Sequence, residues 1–136
     1  MKGKLAVALA ALALSASAWG QGSFYEGKTV TLVIGASGGS LEIAARIVAR
    51  HLGKHLPGNP IIIVNNMPGG GGIRAANFLY NVAPKDGSTI ALLDRGIATA
   101  PLLYGEESQA QFEAVKFNWL GSAMRENGPR RWAYSS

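Results

Sequence analysis

Two glycine-rich segments carry most of the chemistry that this sequence offers. Residues 35–40 (Gly-Ala-Ser-Gly-Gly-Ser) follow the apolar run Val30–Ile34, and residues 66–72 (Asn-Met-Pro-Gly-Gly-Gly-Gly) follow Ile61–Val64. Glycine lets the backbone approach a ligand closely, and a helix beginning after each segment offers unpaired N–H groups. Two such turns in adjacent strand–helix units therefore predict an anion-binding site.

The first segment also matches the G-x-S-x-G pattern of the hydrolase nucleophile elbow, with Ser37 as the nucleophile. A hydrolase triad needs an acid and then a histidine later in the chain. The two histidines, His51 and His55, both fall in the very next predicted helix. Neither is placed to act as a general base on Ser37, so a plain glycine turn is favoured and no catalytic residue is predicted.

The second segment offers an alternative function. Gly70-x-Gly72-x-x-Ala75 matches the looser dinucleotide fingerprint, and Asp94 ends the next predicted strand, where a ribose-binding acid is expected. Five residues separate Val64 from Gly70, whereas the fingerprint turns directly off its strand. A fragment of a dinucleotide-binding Rossmann-type enzyme using Gly70, Gly72 and Asp94 stays open as the alternative.

Two further groups of side chains are candidate ligands by their type and spacing. His51 and His55 have the i, i+4 spacing that can bind a metal, but no carboxylate or cysteine nearby completes the set, and no metal site is predicted. Arg74 follows the four glycines at the start of a predicted helix, where its guanidinium can clamp a carboxylate bidentately. An exposed surface arginine is the alternative interpretation.

The first residues of the chain predict export. Lys2 and Lys4 precede the apolar run Leu5–Leu14, and the small residues 16–18 form a cleavage site, so residues 1–18 are interpreted as a signal peptide of a periplasmic protein. Export also argues against a nicotinamide enzyme. Removing the two lysines lowers the formal charge from +5 to +3, which is weak support for a nucleic-acid partner. Without cysteine, a disulfide framework is excluded.

The elements that must position the glycine segments alternate between strand and helix. The predicted elements are strand Lys28–Ile34, helix Leu41–Leu56 with Ser40 as its N-cap, strand Ile61–Val64, helix Ile73–Tyr80 and strand Ser88–Leu93. This βαβαβ order predicts an α/β fold with a parallel sheet and right-handed crossovers. The ligand site is expected at the carboxyl ends of the strands, where both glycine segments lie.

Five motifs in a fixed order along residues 24–122 add to the α/β fold prediction. They are Phe24–Val30, the helix and stop of Leu41–Pro60, the match of residues 66–72 to N-x-P-G-A-G-G with Gly70 in place of alanine, the turn and strand Ala83–Ile90, and Phe117–Ser122. Together they resemble the substrate-binding proteins of tripartite tricarboxylate transporters, the Bug-type periplasmic receptors.

The resemblance implies a partial first lobe of a two-lobed periplasmic binding protein fold that captures small carboxylates and delivers them to membrane permease subunits. It implies no enzyme activity, no cofactor and no nucleic-acid partner. The ligand-binding residues carried over by the resemblance, with Arg74 added as a clamp, are Ser37, Gly38, Gly39, Ser40, Glu42, Gly69, Gly70, Gly71, Gly72 and Arg74. Family members usually have aspartate where Glu42 stands.

The resemblance also divides the chain. Residues 24–122 correspond to a partial N-terminal lobe, and residues 123–136 form a divergent tail that carries Arg125, Arg130 and Arg131. Because family members are much longer, we interpret the sequence as a truncated or frameshifted gene product. Sequencing the DNA beyond the stop codon tests this interpretation, since a frameshift requires coding sequence for the second lobe there.

Overall fold

The computed structural model describes residues 23–123. The predicted signal peptide and all but the first residue of the predicted tail lie outside that range. The strands and longer helices are β1 (Thr29–Ile34), α1 (Gly39–Leu52), β2 (Ile61–Asn66), α2 (Ile73–Asn81), β3 (Thr89–Leu92) and α3 (Ala100–Tyr104). Short 3-10 turns lie at Gly53–His55, Gly70–Gly72, Arg95–Ala98, Gly105–Ser108 and Ala114–Lys116.

The three strands form one parallel sheet in the order β2-β1-β3. Thr29 lies opposite Ile61 on one side of β1, and Thr31 lies opposite Thr89 on the other. Right-handed crossovers in opposite directions place α1 and α2 on opposite faces of the sheet. The predicted α/β class is confirmed, and the architecture is consistent with a partial lobe of a periplasmic binding protein.

The core lies on both faces of the central strand. Val33 and Ile34 are fully buried because β1 has a strand on each side and a helix over each face. One cluster packs α1 on the sheet through Leu32, Ile34 and Ala45. A second cluster joins α2 to the segment after β3, through Ile73, Ala76, Ile97 and Phe112.

The ends of the elements differ from the sequence prediction by two residues or more in three places, and elsewhere by one residue at most. Helix α1 begins at Gly39 with Gly38 as the N-cap residue and no side-chain cap, so the prediction that Ser40 caps this helix is wrong. The helix ends at Leu52, and the following turn brings Gly53 so close to the carbonyl of Pro60 that a side chain does not fit. Strand β2 continues to Asn66, two residues beyond the prediction, since Asn66 still pairs with Ile34.

Candidate functional site

The two glycine segments meet at one edge of the sheet, as the sequence predicts. Ile34 and Asn66 are register partners at the carboxyl ends of β1 and β2. The amide of Met67 donates to the carbonyl of Ile34 at 2.8 Å, and the Asn66 side-chain amide donates to the carbonyl of Ala36 at 3.2 Å. Asn66 thus ties the second segment to the first.

The contact between the segments is backbone against backbone. A Cβ atom on Gly35 would lie 2.5 Å from the Cα of Gly72, closer than real Cβ contacts come. Gly72 itself has φ 97°, in the left-handed region, and is the N-cap residue of α2. Gly35 is therefore required by the approach of the second segment, and no ligand needs to be invoked for it.

At the start of α1, a carboxylate of the chain itself occupies the helix N-terminus. Glu42 accepts a hydrogen bond from the backbone amide of Gly38 and two from the guanidinium of Arg46, with Nε 3.0 Å from Oε1. The hydrogen bond from Arg46, followed by that from Gly38, holds the pKa of Glu42 below the ordinary glutamate value. A negative side chain is favourable there because the helix dipole is positive at its N-terminus.

Glu42 competes with an external anion for the N-terminus of α1. Its carboxylate takes up the Gly38 amide that an external anion would otherwise use, and it adds a negative charge beside the remaining amides of Gly39 and Ser40. Ser37–Ser40 are all exposed at the sheet edge. The structure therefore places the predicted residues of the first segment together, with Glu42 facing its own backbone.

The second segment has an unusual backbone. Gly69, Gly70, Gly71 and Gly72 all have positive φ, at 137°, 55°, 61° and 97°. L-amino acids with a side chain adopt this region rarely, because Cβ approaches the following carbonyl. The amides of Gly72 and Arg74 both donate to the carbonyl of Gly69, at 3.0 and 3.4 Å. The four glycines thus form a tight turn that leads directly into α2.

A groove of about 360 Å³ opens beside this turn. Its lining consists of Gly69, Gly70, Ile73, Arg74, Asn77, Ser108 and Gln109. We call it the Arg74 groove. It includes three of the predicted site residues, Gly69, Gly70 and Arg74, whereas the predicted residues of the first segment lie outside its lining. The Arg74 guanidinium is exposed, and its one hydrogen bond to another residue of the range 23–123 is a long contact of 3.5 Å from Nη1 to the Pro68 carbonyl.

Sequence reasoning missed the far wall of the Arg74 groove. Asn77 donates to the carbonyl of Gln109 at 3.0 Å and accepts from the amide of Gln111 at 2.7 Å. Asn81, one turn later on α2, donates to the carbonyl of Gln111 at 2.9 Å. The signal in the sequence is this pair of asparagines at i, i+4, which fixes residues 109–111 against the helix.

The residues of the dinucleotide alternative are not arranged as the fingerprint needs. Asp94 accepts from the amide of Gly96 at 2.8 Å and thereby caps the turn Arg95–Ala98. Because β1 separates β2 from β3, the ends of these strands are roughly 10 Å apart, whereas the fingerprint uses neighbouring strands.

Residues 23–123 lack the geometry that a hydrolase triad or a metal site needs. His51 lies in the last turn of α1, roughly 18 Å along the helix from the segment with Ser37, beyond the reach of a general base. Among residues 23–123, no group of three or more histidine, cysteine, aspartate or glutamate side chains is placed to hold a metal ion. Within the same range, no helix has the length and apolar character needed to cross a membrane.

Comparison with known proteins finds one informative similarity. A protein from Cupriavidus necator described as "UPF0065 protein in gbd 5'region" is 42% identical over 89 residues, which cover 64% of this chain and 26% of that relative. No family model and no solved structure matches. This chain is therefore similar to a UPF0065 protein over about a quarter of that protein's length.

Proposed function

We propose that this chain is part of an exported solute-binding protein of the Bug type that captures small carboxylates for a tripartite membrane transporter. UPF0065 is the Bug family, so the similarity to the Cupriavidus necator protein favours a binding receptor over an enzyme. The observation that carries the proposal is the meeting of both glycine segments at one sheet edge, next to the Arg74 groove. Because the chain spans about a quarter of the relative, the proposal covers one partial lobe.

Arg74 supplies the positive charge of the proposed site. Its guanidinium is exposed at the mouth of the groove and can donate two parallel hydrogen bonds to the oxygens of a carboxylate. The other polar side chains of the lining are partly committed, since Asn77 holds residues 109 and 111 and Ser108 bonds to Gly105 and Ala110. A carboxylate in this groove would depend on Arg74 more than on any neighbour.

The first glycine segment forms the other side of the proposed site. The amides of Gly39 and Ser40 stand at the N-terminus of α1, where an anion is stabilised by the helix dipole. The negative charge of Glu42 disfavours a ligand carboxylate near Gly38, because like charges repel. We propose that a ligand carboxylate lies nearer to Gly70, Gly71 and Arg74 than to Gly38.

Thermal denaturation of the purified chain with a panel of mono-, di- and tricarboxylates tests this function. At a concentration ten times the dissociation constant, binding adds about 1.4 kcal/mol, which raises the midpoint by several degrees. The variant Arg74→Ala loses that rise, while the control Lys54→Ala, just beyond the C-terminus of α1 and outside both groove linings, keeps it. A rise with nicotinamide dinucleotides, or an equal rise in Arg74→Ala, would contradict the proposal.

Export and the transporter partner are tested separately. We propose that residues 1–18 direct the chain to the periplasm, where it meets the permease subunits. Fractionation of cells that express the chain with a C-terminal tag checks this: the tag is expected in the periplasmic fraction, at a mass lowered by the removed leader. Tag that stays in the cytoplasm at full mass would contradict export.

A further inference from the structure

Strand β2 has a free edge within residues 23–123, because it pairs with β1 on one side only. The backbone N–H and C=O groups along such an edge are available to an additional strand. The edge is also apolar: Ile61 is 68% exposed and Ile63 is 53% exposed. Their neighbours Ile62 and Val64 turn to the other face and pack against α1. One face of β2 thus presents two isoleucines to solvent.

The opposite face of the same edge is basic. A groove of about 430 Å³ lies between α1 and β2, lined by Arg46, Ala49, Arg50, Ile62, Ile63 and Val64. We call it the Arg50 groove. Arg46 is neutralised by its ion pair with Glu42, whereas Arg50 has no hydrogen-bond or ion-pair partner among the described residues. No acidic residue lines this groove, so it carries an unbalanced positive charge.

Strand geometry links these two faces. Side chains of an extended segment alternate between the two faces of a sheet. In a strand added beside β2, every second side chain would therefore face the Arg50 groove, and the others would continue the surface of Ile61 and Ile63. Carboxylates suit the first set, and apolar side chains suit the second. We infer that the free edge of β2 docks an extended segment of a partner protein in which acidic and apolar residues alternate.

Charge argues against the other occupants of this edge. Two copies of the chain paired through β2 would bring two Arg50 side chains together on one face, and like charges repel. The chain's own segments outside the described range do not complement the groove either. Residues 1–22 contain two lysines and no acid, and residues 124–136 contain three arginines and one glutamate. Charge therefore favours an acidic segment over a second copy or either of these two segments.

Peptide binding to the full chain tests the inference. The probe is an acetylated, amidated octapeptide in which Glu and Val alternate. We expect it to bind and to slow hydrogen exchange in residues 61–66. A Lys–Val peptide of the same design should bind at least about tenfold more weakly, because it places cations against Arg50. Equal binding of the two peptides, slowed exchange at Thr89–Leu92 instead, or no change in exchange would each overturn the inference.

Charge reversal identifies the groove. Arg50→Glu should weaken binding of the Glu–Val peptide at least about tenfold. Lys54→Glu makes the same charge change just beyond α1, outside the groove lining, and should leave binding within about twofold. Equal losses in the two variants would mean that net charge alone is responsible, which contradicts a defined site. Circular dichroism checks that both variants are folded, and Arg50→Gln serves if the reversal destabilises the chain.

A separate substitution tests the apolar face of β2, on the side of the sheet opposite α1. Ile61→Ser removes one exposed isoleucine that lies outside the lining of the Arg50 groove, and it should weaken binding of the Glu–Val peptide several-fold while leaving the fold intact, since Ile61 contributes to neither core cluster. Sedimentation of the chain without peptide separates the remaining occupant. A dimer that Ile61→Ser dissociates would show that a second copy covers β2, and it would overturn the inference.

Discussion

The two glycine segments look alike in sequence and differ in what their glycines do. In the first, Gly35 has ordinary backbone angles but no space for a side chain, because Gly72 presses against it. In the second, Gly71 has open space around it and a left-handed φ of 61°. Gly35 is required because Gly72 leaves no space for a side chain, and Gly71 is favoured because its own backbone conformation is left-handed. A run of glycines after a strand is therefore not by itself a ligand cradle.

The segments also differ in how their polar groups are used. The first directs its N-cap amide to a carboxylate of the same chain, Glu42, which Arg46 holds in place. The second leaves Arg74 exposed beside a groove. The first segment is closer to an internally satisfied helix start, and the second leaves an exposed cation where we propose that a ligand carboxylate binds. Four experiments examine this difference.

The largest expected effect is at Gly35. Replacing it with alanine puts a Cβ 2.5 Å from the backbone of Gly72, where no flexible side chain can yield. We expect Gly35→Ala to lower the free energy of unfolding by roughly 3 kcal/mol. Urea denaturation measures the change as a lower midpoint at unchanged slope. A loss below about 1 kcal/mol would show that the two segments do not touch in solution.

Asn77 tests the wall of the Arg74 groove. Asn77→Ala removes the bonds to Gln109 and Gln111, so two backbone groups lose their partner. We expect a loss of about 2 kcal/mol in the free energy of unfolding, together with faster hydrogen exchange at Gln111. Asn77→Asp keeps the acceptor for the Gln111 amide and should retain protection there. Unchanged exchange in Asn77→Ala would contradict the proposed wall.

A matched pair of alanine substitutions compares the segments directly. Gly39 and Gly71 have φ of 76° and 61°, and neither has an atom within 4 Å of a Cβ position. Each substitution to alanine should therefore cost only the strain of a left-handed residue, about 1 kcal/mol. Urea denaturation of both variants provides the measurement. A much larger loss at one position would reveal a contact that the backbone geometry does not show.

The smallest effect concerns the protonation of Glu42. Because its pKa is lowered in the folded chain, the carboxylate adds stability above its ordinary pKa, and that stability is lost as pH falls through the folded value. An NMR titration of Glu42 should give a pKa below 4.5 that rises in Arg46→Gln. Asp86, whose pKa is lowered by the hydroxyl and amide of Ser88, should not respond to Arg46→Gln. Equal shifts at both carboxylates would contradict a direct bond to Arg46.

Much of the framework could be predicted from the sequence. The segments Lys28–Ile34, Ile61–Val64 and Ser88–Leu93 predict all three strands to within two residues at each end, and the alternation of strands and helices predicts a parallel sheet, because these features follow from local periodicity. Periodicity does not report which polar group satisfies a helix end. The sequence predicts Ser40 as the cap of α1, but Gly38 takes that place, and Glu42 in the first turn of the helix accepts a hydrogen bond from the Gly38 amide.

The remaining features depend on contacts between distant residues. Ser108 and Gln109 reach the Arg74 groove only because Asn77 and Asn81 hold the chain after α3 against α2. The exposure of Ile61 and Ile63 depends on β2 being an edge strand, which the order of strands decides. Neither feature has a local signal as strong as a run of glycines. The roles of the predicted ligand-binding residues stay predictions until ligand binding is measured.

The central position of β1 has a consequence for how the chain folds. Its partner on one side lies about 30 residues away along the chain and its partner on the other side about 60 residues away, and doubling a loop costs only about 0.6 kcal/mol of closure entropy. Chain entropy therefore gives little preference for either pairing. Delivery of the chain with its N-terminus first supplies the order instead: β1, α1 and β2 are complete first, and one edge of β1 stays open until β3 arrives.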